Sequence, residues 1–234
     1  MKFLAQSGKG LSLIVAIALY ATGAKAATFT DNFDRSNGGL CSNWTAVPGY
    51  GGTLQITGNQ VQPAAEIFAG SIYTAATVAP AQFSEVQLVS GLSGGVINLD
   101  VRAGQYGNLS TADMYRGQAL GLDGIWRILR VDNGVETVLE SGALTASNGD
   151  TFYFEANGST LTLKRNGTVL GSATDSTYGS GAVGLSIYNH VNMLVDNWRG
   201  GDVSTSDTTA PSTPSGLSAS GTSSSQISLS WTGS

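Results

Sequence analysis

The chain of 234 residues carries 11 Lys and Arg against 16 Asp and Glu, a formal net charge of −5, with 12% charged residues and one cysteine. That balance excludes a nucleic-acid binder, which needs clustered positive charge on one face, and the lone Cys41 excludes an internal disulfide framework. Solubility has to come largely from Ser, Thr, Asn and Gly, a composition suited to an extracellular β-protein.

The first element is "MKFLAQSGKGLSLIVAIALYATGAKA". Lys2 and Lys9 make a basic start, Leu11 to Ala21 is an apolar run, and Ala24-Lys25-Ala26 fits a small-residue cleavage site. These are the parts of a secretory signal peptide over residues 1–26, the alternative being an uncleaved anchor. No later segment is apolar enough for a membrane span, so a secreted or cell-surface chain starting near Ala27 is expected. Losing Lys2, Lys9 and Lys25 takes Lys and Arg from 11 to 8 and the net charge from −5 to −8.

From 27 to 203 nothing reads as a helix, and period-two runs of β-branched and aromatic residues are punctuated by Gly, Asn and Asp. "TLQITGNQVQ" is a hairpin around Gly58-Asn59, and "FSEVQLVSGLSGGVINLDVRAG" gives two strands joined by a Gly/Ser turn. Further turns fall at Asn133-Gly134, near Asn157-Gly158, and at Asn166-Gly167 in "LTLKRNGTVL". Asn-Gly tolerates positive φ at both central positions, as a two-residue type I′ hairpin requires. The expected register pairs Arg165 with Thr168, Lys164 with Val169 and Leu163 with Leu170, placing both leucines on the core side. About 175 residues are ample for one core. The expected fold class is all-β, a two-sheet antiparallel sandwich.

Residues 204–212 begin a Pro/Ser/Thr linker, "STSDTTAPSTPSG". Residues 213–234 alternate again, with Leu217, Ile227, Leu229 and Trp231 on an apolar face that has nothing to bury against. A longer protein with further domains is therefore expected.

Two resemblances sharpen this reading. "TAPSTPSGLSASGTSSSQISLSW" resembles the opening strands of a fibronectin type III domain, here incomplete. "DNFDRSNGGLCSNW", "WRILRVDNG", "LTLKRNGTVLGSATDSTYGSGAVGL" and "VDNW", in that order, resemble the concanavalin A-like (laminin-G-like) jelly-roll domains of secreted bacterial proteins. The resemblance implies a jelly-roll sandwich over 27–203. It also implies a carbohydrate-binding or adhesive role, or in some relatives polysaccharide cleavage.

Retaining glycosidases on this fold carry a Glu-x-Asp-x-x-Glu strand, and no such segment occurs; the nearest acids are Glu85 and Asp100. Glu85 and Gln87 share one side of "FSEVQLV", and Asn98, Asp100 and Arg102 one side of "VINLDVRAG". If these strands pair, the five residues form a polar face that lines a sugar groove, with Tyr106 in the following loop as a stacking platform. The competing reading is a convex, solvated sheet face. Tyr50, Tyr73, Tyr115 and Tyr188 are further platforms, whereas Trp44, Trp126 and Trp198 are expected in the core.

His190 and Cys41 cannot make a zinc site of the usual kind, and Cys41 reads as a small packing residue. There is no Gly-x-Ser-x-Gly elbow, phosphate loop or dinucleotide fingerprint. A structural Ca²⁺ held by Asp31, Asp34 and Asp196 is expected from domains of this kind, with turn formation as the alternative role for those acids. Four sequons, at Asn43, Asn108, Asn157 and Asn166, read as turn chemistry. The expected function is a secreted, non-catalytic module that binds a polysaccharide or surface glycan. The alternatives are a polysaccharide hydrolase or lyase using Glu85 and Asp100, and a structural spacer.

Overall fold

The computed structural model describes residues 26–65, 68–188, 192–204, 215–223 and 226–232. The strands in the first half are β1 (Thr28–Asp31), β2 (Gly38–Gly39), β3 (Trp44–Ala46), β4 (Leu54–Thr57), β5 (Gln60–Pro63), β6 (Ala69–Tyr73), β7 (Gln82–Ser90), β8 (Val96–Ala103) and β9 (Met114–Leu120). They continue with β10 (Ile125–Asp132), β11 (Val135–Ala143), β12 (Thr151–Asn157), β13 (Thr160–Arg165), β14 (Thr168–Thr174), β15 (Ala182–Tyr188), β16 (Leu194–Asp202), β17 (Ser215–Ser223) and β18 (Gln226–Thr232). Residues Ala26–Ser204 form one compact unit.

Within that unit most strands have an apolar side to bury, and two antiparallel sheets meet along those sides. One has nine strands in the order β14-β13-β12-β7-β16-β5-β4-β2, with β1 also on β16; the other has seven, β11-β10-β9-β8-β15-β6-β3. The expected two-sheet sandwich is therefore the observed one. Between the sheets pack Leu88, Phe154 and Leu163 from one side and Leu99, Ile128 and Leu185 from the other. Trp44, Trp126 and Trp198 are buried there as expected, and Cys41 packs against the same core. Trp44 and Trp198 meet edge to face with ring centroids 4.6 Å apart.

Three expectations are corrected by packing. Tyr73 and Tyr115 belong to this core, so neither is a platform. At the Asn166-Gly167 turn, where φ is 50° and 76°, Arg165 does face Thr168 and Lys164 does face Val169. Leu163, however, faces Gly171 rather than Leu170, because a bulge inserts between Leu163 and Lys164. The indole of Trp126, from the other sheet, occupies the space a side chain at 171 would need. Finally, β7 and β8 do not pair. A short 3₁₀ turn, Leu92–Gly94, carries the chain from one sheet to the other; β7 lies between β12 and β16, and β8 between β9 and β15.

A second, smaller apolar cluster forms on the outer side of the seven-stranded sheet. Val47, Tyr50 and Phe68, from the segments flanking the β4–β5 hairpin, pack with Leu109 and Ala112 onto Ile72, Met114 and Val131. Tyr50 is buried in it and is not a platform either. In the second unit β17 and β18 pair antiparallel. The side chains of Leu217, Ile227, Leu229 and Trp231, like His190, lie outside the described residues. Among the described residues no helix is long and apolar enough to cross a membrane.

Candidate functional site

The outer face of the seven-stranded sheet is organised in rows set by strand register. Across β10, β9, β8 and β15, Ile125, Leu120, Val96 and Tyr188 form an apolar row. Arg127, Gln118, Asn98 and Ser186 form a polar row beside it, and Leu129, Arg116, Asp100 and Gly184 a third.

The third row is sealed beneath the loop cluster. Arg116 and Asp100 are each 1% exposed, and Arg116 Nε donates to Asp100 Oδ1 at 2.7 Å. The same guanidinium donates to the Tyr50 hydroxyl at 2.7 Å and to Glu136 Oε1 at 3.0 Å. Burial alone would lower its pKa, but the Asp100 carboxylate, by its charge and its hydrogen bond, and the charge of Glu136 outweigh that and hold it well above the ordinary value. Burial raises the Tyr50 phenol, so it stays a neutral partner near neutral pH. Phe68 lies over the guanidinium at 5.5 Å and stacks on Tyr50 at 4.1 Å.

Of the polar row Asn98, Gln118 and Ser186 are buried, and the two amides are incompletely satisfied. Gln118 Nε2 donates to Asn98 Oδ1 at 2.9 Å, leaving Asn98 Nδ2 and Gln118 Oε1 buried without a partner. Turning both amides over would still leave one donor and one acceptor unpaired. Above Gln118 opens a cavity of about 270 Å³. Gln118, Val96 and Leu120 border it from the sheet, and Phe68 and Tyr188 border it with their rings, whose centroids are 5.5 Å apart. Leu122, Asp123, Arg127 and Glu136 complete it, and neither Arg127 nor Asp123 has an ion-pair partner among the described residues.

The residues singled out from sequence are only partly brought together. Asn98 and Asp100 belong to this face. Glu85 and Gln87 point outward from the nine-stranded sheet, on the far side of the sandwich. There Glu85 pairs with Arg199 at 2.8 Å, and Gln87 accepts from Asn197 at 3.0 Å. Sheets in a sandwich pack about 10 Å apart, so Glu85 and Asp100 have the whole core between them. They cannot flank one glycosidic bond. Arg102 leaves the polar side because its φ of 51° breaks the strand alternation. It donates to the carbonyls of Pro80, Gly158 and Tyr178 at 3.0, 2.8 and 2.8 Å, tying their loops together. Tyr106 lines a separate cleft of about 580 Å³ with Tyr73 and Ala103, at the opposite end of β8 from Val96.

β1 pairs with β16, which brings Asp31 opposite Trp198 and near Asp196. The Asp31 oxygens already accept from Arg35, the Trp44 indole and the Phe33 amide. Those bonds outweigh burial and hold Asp31 below its usual pKa. Burial raises Asp196, and the charges of Asp34 and Asp31 add to the rise. Among the described residues no group of three or more His, Cys, Asp and Glu is placed to hold a metal.

No protein-family model and no curated protein sequence matches the chain. Solved structures do match. The carbohydrate-binding module CBM66 from Bacillus subtilis is 16% identical, with 66% of this chain and 91% of that one covered and a TM-score of 0.53. A Bacillus licheniformis β-glucanase is 14% identical, with 76% and 98% covered and a TM-score of 0.51. The carbohydrate recognition domain of Emp47p is 12% identical, with 79% and 100% covered and a TM-score of 0.53. The fold is a two-sheet antiparallel jelly roll. At such identities the likeness extends to the fold and not to function.

On this jelly roll, sequence reasoning missed Arg116, Gln118, Arg127, Glu136 and Phe68. The alternation in "MYRGQAL" sets Arg116 and Gln118 on one side of a strand, the same signal that singled out Asn98 and Asp100. Phe68 carries no such signal, because it reaches the site from a loop.

Proposed function

We propose that this chain is a secreted, non-catalytic carbohydrate-binding module, and that the cavity over Gln118 is where it holds a glycan. One observation carries the reading: a buried amide with an unpaired carbonyl borders the same small cavity as two aromatic rings, Phe68 and Tyr188. Sugars present apolar CH faces rimmed by hydroxyls, so rings for the faces and fixed polar groups for the rim are what such a ligand requires. The carbohydrate-binding descriptions of CBM66 and the Emp47p domain support the same reading. The leader-like start of the chain supports export. The Pro/Ser/Thr segment and the β17–β18 hairpin fit a linker into fibronectin type III material of a longer protein.

The test is retention of the purified chain on a panel of immobilised polysaccharides. Binding to at least one, weakened by Gln118→Leu in a protein that still melts cooperatively, is expected. A folded chain retained on none would remove the reading.

A further inference from the structure

We infer that the leader is cut between Ala26 and Ala27, and that the α-ammonium this creates on Ala27 pairs with the Asp202 carboxylate, closing the domain by its two ends. This rests on the export part of the proposed function and adds to it a processing site and its structural consequence.

Asp202, the last residue of β16, points its carboxylate at the start of the domain. Oδ2 accepts from the Ala27 amide at 2.9 Å, and Oδ1 accepts from the Ala79 amide at 2.7 Å. Among the described residues no Lys, Arg or His forms an ion pair with it. Two backbone amides therefore orient a negative charge that has no cation to meet it.

The chain end is also held from the other direction. The Asp202 amide donates to the Ala27 carbonyl at 2.8 Å, and Thr28 faces Gly201 where β1 begins to pair with β16. The fit is close, since a Cβ at Gly201 would fall 2.2 Å from that carbonyl oxygen. Ala27 is thus fixed just before the first strand, with its nitrogen against Asp202.

Sequence and geometry meet at this nitrogen. Ala24-Lys25-Ala26 is a small-residue cleavage site whose scissile bond joins Ala26 to Ala27. The compact unit begins at Ala26, and residues 1–25 lie outside the described residues. Hydrolysis by an endopeptidase of the export machinery breaks that C–N bond. Water gives its hydroxyl to the Ala26 carbonyl carbon and a hydrogen to the Ala27 nitrogen. The new carboxylic acid then releases a proton and the new amine takes one up, because an α-amine ordinarily has a pKa of about 7.7–8.0. A neutral donor to Oδ2 becomes a charged one, and charge-assisted hydrogen bonds are about twice as strong as neutral ones. Cutting one bond earlier would move the ammonium away by about 3.8 Å and leave a neutral amide against Asp202.

The test has two arms. The full chain of 234 residues is expressed in a secreting bacterial host, and the product is weighed by intact-mass spectrometry. An exported chain beginning at Ala27 is expected. A cut at any other bond, or an uncut chain at the cell surface, overturns the inference and leaves export standing; a chain that stays in the cytoplasm removes both. The second arm melts a chain starting at Ala27 beside one starting at Ala26, in which the same nitrogen is an amide. The Ala27 form should melt at least about 1 °C higher, as expected for a part-buried ion pair in a domain of this size. In Asp202→Asn more than about half of that difference should disappear, because only the carboxylate distinguishes a charged donor from a neutral one so strongly. A smaller difference between the two chains, or one that survives in Asp202→Asn, overturns the inference.

Discussion

Trp126 reaches from the seven-stranded sheet into the space beside Gly171 on β14 of the other sheet, where a Cβ would fall 2.1 Å from the ring carbon Cη2. Gly142 on β11 gives the same indole room from its own sheet, with a Cβ there 2.8 Å from the ring. The two sheet edges thus close around one tryptophan. Gly171→Ala is expected to destabilise the protein by about 1–3 kcal/mol through overpacking. Gly39→Ala, where nothing lies within 4 Å of the added carbon, should change little. Urea unfolding of both variants checks the contrast.

The buried pair of Arg116 and Asp100 makes a second prediction. Asp100→Ala leaves a guanidinium that is 1% exposed with the Glu136 carboxylate as its one remaining anionic partner among the described residues, beside the Tyr50 hydroxyl and the Met114 thioether. Removing one partner of a buried pair costs about 3–5 kcal/mol, so Asp100→Ala should unfold at much lower urea. Replacing both, as Asp100→Leu/Arg116→Met, is expected to recover most of that loss.

The pH dependence follows from the stretch "DSTYGSG", which is fastened to the seven-stranded sheet by polar contacts. Tyr115 donates to Asp175 at 2.5 Å, Arg130 bridges Asp175 and Asp132 at 2.7 Å each, and the Tyr178 hydroxyl meets Asp132. Hydrogen bonds from Tyr178 and Arg130 lower Asp132. Burial would raise Asp175, but bonds from Tyr115, Thr177 and Arg130 outweigh it and hold the carboxyl well below the usual range. A carboxylate depressed in the folded state stabilises above its unfolded pKa, about 3.9, and that stability is lost as pH falls through the folded value. Asp196, raised by burial, acts with the opposite sign. Burial and the neighbouring acids raise Tyr115, Tyr153 and Tyr178, whose contribution is full below about pH 10 and lost above it. Melting temperatures should therefore be flat from about pH 5 to 9 and fall on both sides. Asp175→Asn should melt lower at pH 7 and show a shallower acid limb.

Tyr188 offers a test of the cavity with little structural consequence, since it is 41% exposed. Tyr188→Ala should change stability by less than about 0.5 kcal/mol and weaken retention on the bound polysaccharide about tenfold, by loss of ring stacking. Frontal affinity chromatography alongside thermal melts separates the two effects.

The sequence by itself determined the sandwich, its Asn-Gly hairpins and the burial of its three tryptophans. Those depend on short-range rules: period-two burial, positive φ at Asn-Gly, and large aromatics that must be buried. It also marked Asn98 and Asp100 as polar residues on an otherwise apolar strand. Strand pairing across the chain was not legible, because alternation says which residues share a strand face and not which strand lies beside it. Glu85 and Asp100 were expected together and lie on opposite sides of the molecule, since the short turn at Leu92–Gly94 changes sheets where a hairpin would have stayed in one. The bulge opposite Leu163 answers to Trp126, which comes from the other sheet. The candidate site was decided only in three dimensions. Gln118 meets Asn98 through register, and Phe68 arrives beside Gln118 from a distant loop. Local patterning fixes what each strand buries, while long-range packing decides which leftover polar groups meet.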